Sequence, residues 1–161
     1  MADFATPDQV FTYAEHGFEA TAYSIPTDQY GTQLDPPSHW NEYGATIDEL
    51  PPTFSLRPLV VIDLHEKVAV EPQYAATVAD ILAWEAKHHT TIPAGAVVFF
   101  RTDWSRDWPA VNAAVFPAVS LAALQFLHGE RRILLHGHEW PWLRGHFLQV
   151  ALLYMHTVAN P

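Results

Sequence analysis

Two continuous apolar runs stand out in the pattern of hydrophobic and polar positions along the chain. Pro58–Leu64 and Ala96–Arg101 each place several apolar residues in a row. Such runs are typical of strands buried on both faces of a parallel sheet. Arg132–His136 is a shorter run of the same kind. We therefore predict three buried strands.

Helical spacing of apolar residues predicts two helices near these strands. In Thr77–His89 the apolar positions recur at helical spacing, and Thr77 with Asp80 resembles a capping box. Ser120–Leu127 has a similar pattern, and we predict that this second helix ends at Gly129.

Weaker patterns complete the prediction at the two ends of the chain. Residues 8–17 predict a short helix closed by Gly17, and the alternating residues 19–25 predict a strand. Trp142–Val158 is apolar and fits either a helix or a strand. Because strands and helices interleave, we predict an α/β or mixed α+β class, with one domain over residues 1–161.

Composition and charge exclude several classes of function. The net charge is −10 with only eight Lys and Arg, which disfavours nucleic acid and anionic membrane as partners. The chain has no cysteine, which excludes disulfides and zinc–thiolate sites. Neither a signal peptide nor an apolar run of roughly 20 residues is visible. We expect a cytoplasmic protein.

The most polar stretch among these elements runs from Gln29 to His39. In an extended backbone Gln29, Gln33 and Asp35 point the same way, and two prolines then carry the chain stiffly to His39. A carboxylate, carboxamides and an imidazole suit a divalent ion such as Mn or Zn. The alternative is a polar turn whose side chains hydrogen-bond the backbone.

Two further segments could carry chemistry. His136–Glu139 follows a predicted strand, where ligand sites of open sheets gather, although it could be a solvated loop end. Arg101–Trp108 combines Trp, Arg and Asp, which suits either the rim of an apolar substrate pocket or an ordinary packed loop. From the residues alone, His128 is predicted to be an ordinary surface histidine and His156 a core histidine.

The stretch Gly31–Trp40 resembles the signature of the cyclase-like metal-dependent hydrolases, which include kynurenine formamidase, isatin hydrolase and trans-dienelactone hydrolase. The usual signature is His-x-Gly-Thr-His-x-Asp-x-Pro-x-His, and some members carry Gln where Gln33 stands here. Similar segments follow in consistent order up to residue 139: Leu59–Asp63, Ile81–Glu85, Ile92–Gly95, Arg101–Ser105, Phe116–Pro117 and His136–Glu139.

The resemblance implies a swivelling β/β/α fold, a homodimer or larger homo-oligomer, and a divalent-metal hydrolase of amide, lactam or ester bonds. It implies that Gln33 and Asp35 lie at the metal. It also implies that His39 is a ligand or the general base, and that His138 faces the substrate.

Two departures from the family pattern concern the metal. Gln29 stands where the first histidine of the signature usually lies. When Val158–Asn160 is matched to the family's Val-Ala-Asn, His156 takes the position of a metal-binding Glu. His156 would then either substitute for that Glu as a ligand or leave the site impaired. The glutamines at the histidine positions also weaken the site, because carboxamides hold Zn or Mn more weakly than imidazoles.

These observations leave two hypotheses. In the first, the chain is a metal-dependent hydrolase of a small, aromatic or apolar substrate, and His39 takes a proton from a water that the metal activates. Four side chains would then contact the substrate: Trp40, Trp104, Trp108 and Glu139. In the second, the chain is a non-catalytic homologue that serves as a binding or assembly module.

Overall fold

The computed structural model describes residues 9–24, 32–39, 41–107, 115–139 and 149–151. The chain divides into two compact units, residues 1–30 and 31–161. In the first unit β1 (Val10–Phe11) pairs antiparallel with β2 (Ala20–Thr21), and the single helical turn α1 (Tyr13–His16) connects them. The single domain over residues 1–161 stays a prediction.

The predictions for the first unit were correct only in part. The predicted helix over residues 8–17 is reduced to one turn, because Thr12 has an extended backbone with φ −121°. Gly17 closes that turn in the left-handed conformation, with φ 77°, as predicted. Between residues 19 and 24 only the two residues of β2 form a strand.

The second unit contains the remaining strands and helices. Its strands are β3 (Gln33–Asp35), β4 (Leu59–Asp63), β5 (Ala75–Ala76), β6 (Val97–Arg101), β7 (Ala118–Val119), β8 (Leu135–His138) and β9 (Gln149–Ala151). Its helices are α2 (His65–Val70), α3 (Val78–His88) and α4 (Leu121–Gln125), and α4 continues into a π-helical segment over Phe126–Glu130. No helix in the described part of the chain is both long and apolar enough to cross a membrane.

Parallel strand pairs organise the second unit. β4, β6 and β8 form a three-stranded parallel sheet with β6 in the middle. β3 pairs in parallel with β9, which also lies against β8, and β5 pairs in parallel with β7. Parallel strands joined through helices confirm the predicted α/β class.

Two of the predicted strands differ from the prediction in a way that affects the site. β4 is buried on one face only, because Leu59 and Val61 are 59% and 42% exposed while Val60 and Ile62 are buried. The third strand begins at Leu135, not at Arg132, because Arg132 has a left-handed backbone with φ 50° that cannot lie in a strand.

The two predicted helices are confirmed, with one change of boundary. Thr77 and Asp80 form the predicted capping box at the start of α3. Ser120 caps α4 by accepting a hydrogen bond from the backbone N–H of Ala123. The helical path continues past Gly129, the predicted end, because the π-helical segment extends to Glu130.

The main hydrophobic core lies between the sheet and the helices of the second unit. Its most deeply buried large side chains are Ile62, Ile81, Val98, Phe100 and Leu127. Burial of each such side chain is worth about 1.5–3 kcal/mol. A smaller cluster around Phe54 and Leu135 covers part of the opposite face of the sheet.

A bidentate ion pair ties α3 to the end of the π-helical segment. Arg131 Nε and Nη2 donate to the two carboxylate oxygens of Glu85 at 2.7 and 2.9 Å. The Ile92 N–H also donates to Glu85, at 2.9 Å. The hydrogen bond from Arg131 is the main cause that lowers the pKa of Glu85 from its ordinary value of 4.5.

We predict that Glu85→Gln lowers the free energy of unfolding by about 2 kcal/mol at neutral pH, since it breaks a mostly buried charge pair. Because the folded-state pKa of Glu85 is lowered, the pair stabilises the fold above pH 4.5, and this stability is lost as pH falls through the folded-state pKa. Urea unfolding at several pH values, with exposed Glu66→Gln as control, measures the difference. If the variant remained less stable than the wild type by the same amount at low pH, the difference would not come from the ion pair of Glu85 with Arg131.

Candidate active site

The signature strand β3 brings Gln33 and Asp35 together, as the spacing predicts. The Gln33 side-chain amide donates to Asp35 Oδ1 at 2.7 Å, and Asp35 is 2% exposed. Leu34, between them, packs against the Phe54 and Leu135 cluster. A carboxylate this deeply buried needs polar partners, and Gln33 supplies one.

His39 lies at the end of the 3₁₀ turn Pro37–His39, which follows the signature strand. Its side chain is exposed. The Ser38 N–H donates to the Ala45 carbonyl at 3.1 Å, so the next segment fastens this turn. Gly44 packs directly under it, because a Cβ there would lie 2.6 Å from the Pro37 carbonyl carbon. The position of His39 therefore depends on a close backbone contact.

Two buried histidines lie within β8: His136, which was predicted to end the strand, and His138, which was predicted to follow it. His136 and His138 are 4% and 7% exposed, and Gly137 separates them. His136 Nδ1 and His128 Nε2 share a hydrogen bond of 3.1 Å. Burial, reinforced by His128 and His138, lowers the pKa of His136 to about 3, so His136 is neutral at physiological pH.

His128 is not the ordinary surface histidine that the sequence predicted. It belongs to the π-helical segment, it is half-buried, and burial lowers its pKa. Pattern analysis missed this contact because a π-helical turn changes which residues share a helix face.

Glu139 connects the end of β8 to the loop that follows β6. Its Oε1 accepts a hydrogen bond from the Thr102 N–H at 3.1 Å, and its Oε2 accepts one from Ser105 Oγ at 3.1 Å. Two donors on two oxygens fix the orientation of this carboxylate. Sequence reasoning selected Glu139 but missed Ser105, which lies 34 residues away in the chain.

A network of charges holds the same loop. Arg101 donates to Asp63 at 2.9 Å, and to both carboxylate oxygens of Asp103 at 2.8 and 3.1 Å. Asp103 has a left-handed backbone with φ 58°, and Arg106 donates to it at 3.0 Å. The hydrogen bond from Arg101 is the main cause that lowers the pKa of Asp103. Asp103 thus pairs with both arginines of this segment.

A pocket of about 360 Å³ opens at this edge of the sheet. Its volume is at the small end of the range for ligand pockets. Apolar atoms dominate its surface, and a few polar groups converge on it. It is lined by Val61, Phe99, Phe100, Arg101, Ser105, His138 and Glu139.

The structure brings only some of the predicted site residues into this pocket. His138 and Glu139 line it, whereas Trp104 is not among its lining residues and donates its indole N–H to the Val115 carbonyl at 2.9 Å. Three predicted residues lie outside the described part of the chain: Trp40, Trp108 and His156. Phe99 and Val61 were not predicted as site residues, because no sequence signal separates a core strand residue from one that lines a pocket.

The signature strand offers ligand atoms of the type that the implied divalent ion binds, but the described residues offer too few of them. Asp35 and Gln33 offer oxygen donors of the type that Mn and Zn accept. Within the described ranges, no group of three or more His, Asp or Glu side chains could hold a metal ion. The described residues therefore supply a partial ligand set, and Gln29 and His156, which could complete it, lie outside them.

Comparison with known proteins relates this arrangement to one family. The sequence model of the Cyclase family, described as "Putative cyclase", matches residues 4–142. Isatin hydrolase of Roseibium aggregatum is 34% identical over 93 residues, which cover 55% of this chain and 35% of that protein.

Solved structures show the same relationship. Isatin hydrolase A from Labrenzia aggregata, solved with benzyl benzoate, has a TM-score of 0.60 and 34% identity, over 66% of this chain and 45% of that one. Isatin hydrolase A from Ralstonia solanacearum has a TM-score of 0.60 and 30% identity, over 71% and 56%. The chain thus spans about a third to a half of the length of these relatives. With the family model matching most of its residues, this chain belongs to the Cyclase family.

Proposed function

We propose that this chain is a hydrolase that cleaves an amide, lactam or ester bond in a small, aromatic or apolar substrate. The observation that carries the proposal is the pocket at the sheet edge, where His138 and the fixed carboxylate of Glu139 meet apolar walls. Its support from comparison is the likeness to isatin hydrolases in sequence and fold.

Four side chains of the pocket have roles that their surroundings suit. Val61 and Phe99 offer apolar surface that would hold an aromatic ring and exclude water. Glu139, held by Thr102 and Ser105, keeps lone pairs with which to accept a hydrogen bond from the substrate. His138 is the imidazole that would hold or pass a proton at the reacting bond.

We propose Gln33, Asp35, His39 and His156 as the residues that hold a divalent ion, either Mn or Zn. A bound ion of this kind polarises a carbonyl group and makes water a better nucleophile near neutral pH. Asp35 would contribute its buried negative charge, and Gln33 would orient that carboxylate through their 2.7 Å hydrogen bond. His39, at the exposed end of its turn, is proposed either as a ligand of the ion or, when it does not bind the ion, as the proton acceptor.

The competing proposal is a binding or assembly module that has kept the fold without the activity. Gln29 and Gln33, in place of the family's histidines, favour it. The substrates, partners and assembly of the whole protein are proposals in either case. A homodimer or larger assembly, a cytoplasmic location, Trp40 and Trp108 as substrate contacts, and no nucleic-acid or membrane partner stay predictions.

We expect the full chain, supplied with Mn or Zn, to hydrolyse isatin, an aryl amide or an aryl ester. Asp35→Asn should lower kcat/KM at least about a hundredfold, because it removes a negative charge at the proposed ion. Asp48→Asn, at an exposed position, is the matched control. If the wild-type chain hydrolyses none of the three compounds, the binding-module proposal is favoured.

Metal analysis provides a second test that does not depend on activity. Chain purified without chelator should carry Mn or Zn near one equivalent, and added metal should raise the melting temperature, since binding to the folded state stabilises it. Asp35→Asn should abolish both effects. A stoichiometry near zero, with no thermal shift, would refute the proposed metal site.

Ser105→Ala should raise KM about tenfold, because it removes one of the two donors that orient Glu139. Ser105→Thr keeps the hydroxyl and should recover most of the loss. Exposed Ser55→Ala is the control for loss of a hydroxyl. Steady-state kinetics with whichever compound the wild type hydrolyses measures the effect. An unchanged KM in Ser105→Ala would show that the hydrogen bond does not act on the substrate.

A further inference from the structure

Gly137, in β8, has no side chain, and a neighbouring residue occupies the space that a side chain there would need. Phe99 is its direct partner on β6, and the phenyl ring lies over the glycine. A Cβ at position 137 would lie 2.6 Å from Phe99 Cε1 and 2.7 Å from Cδ1, closer than real Cβ contacts. The ring therefore occupies the space that any side chain at 137 would need.

The same ring forms part of the pocket wall. Phe99 lines the 360 Å³ pocket, and His138, next to Gly137 in the chain, lines it too. Phe99 also packs against the cluster of Phe54 and Leu135. Strand β8 and this cluster contact the ring, and the pocket lies against it as well. A ring displaced from Gly137 would enter the space of the ligand.

We propose that Gly137 is a specificity-determining residue, which sets the size of substrate that the pocket accepts by leaving room for the Phe99 ring against β8. The proposal rests on the proposed function, because it treats this pocket as the substrate pocket. Gly137 has no contact with the substrate itself; it acts through the position of the phenyl ring. The ligand class is an apolar aromatic ring system that stacks on or beside Phe99.

A purely structural role for the pair predicts a different result. An aromatic ring that covers a strand glycine also stabilises the sheet by packing. If packing were its only role, a larger residue at 137 would lower stability and reduce binding of all ligands alike. A wall that sets size instead discriminates between small and large ligands, so the ratio of their affinities is the informative quantity.

The experiment compares four full-length variants with the wild type: Gly137→Ala, Phe99→Val, the double variant, and Gly129→Ala. Gly129 is the matched control, since a Cβ there would have no atom within 4 Å. The probes are isatin and an isatin that carries a phenyl substituent on its benzo ring. Dissociation constants come from titration calorimetry and kcat/KM from hydrolysis. Melting temperatures record the cost in stability.

We expect Gly137→Ala to reduce the preference for the larger probe over isatin by about tenfold, the size of effect that one methyl group has in a tight pocket. Phe99→Val should restore that preference in the double variant, because valine has no atom at the Cδ1 or Cε1 position. Gly129→Ala should match the wild type.

An unchanged ratio in Gly137→Ala, or no recovery in the double variant, would overturn the inference even if the wild type is an active hydrolase. Conversely, if the wild type binds both probes but hydrolyses neither, the hydrolase proposal fails while the shift in relative affinity still supports the inference. If neither probe binds the wild type, the pocket is not a site for aromatic rings and the inference is wrong.

Discussion

The parallel pairing of β6 with β8 is the constraint on which the rest of the described site depends. Since the two strands run the same way, their carboxyl ends meet, and Thr102 and Glu139 emerge side by side. One carboxylate then satisfies the first backbone N–H beyond β6 and a hydroxyl of the next turn. An antiparallel pair would place these residues at opposite ends of the sheet.

Several weak interactions act on the same few residues that follow β6, from Asp103 to Arg106. Asp103 adopts a left-handed backbone that is unfavourable for a residue with a side chain. Two arginines and the anchored indole of Trp104 hold the loop in this conformation. The arginine pairs are exposed, so each contributes little stability alone. Their combined effect is to fix one conformation of the pocket rim.

Local patterns in the sequence predicted the elements well and the site only in part. The capping box of Thr77 and Asp80 and the shared face of Gln33 and Asp35 follow from spacing within a few residues, and both are confirmed. The Ser105–Glu139 contact joins residues that are distant in sequence, so no local pattern encodes it. The one-sided exposure of β4 depends on which elements cover the sheet, which hydropathy cannot show.

The charge of the pocket rim bears on the chemistry proposed for it. Hydrolysis of a lactam, amide or ester yields a carboxylate. Among the described residues that line the pocket, the cation is Arg101, and its guanidinium already donates to Asp63 and to both carboxylate oxygens of Asp103. A new anion would therefore meet Glu139 without a strong counter-charge from Arg101. The described rim thus suits a neutral substrate better than an anionic product, a difference that favours release after the bond is cleaved.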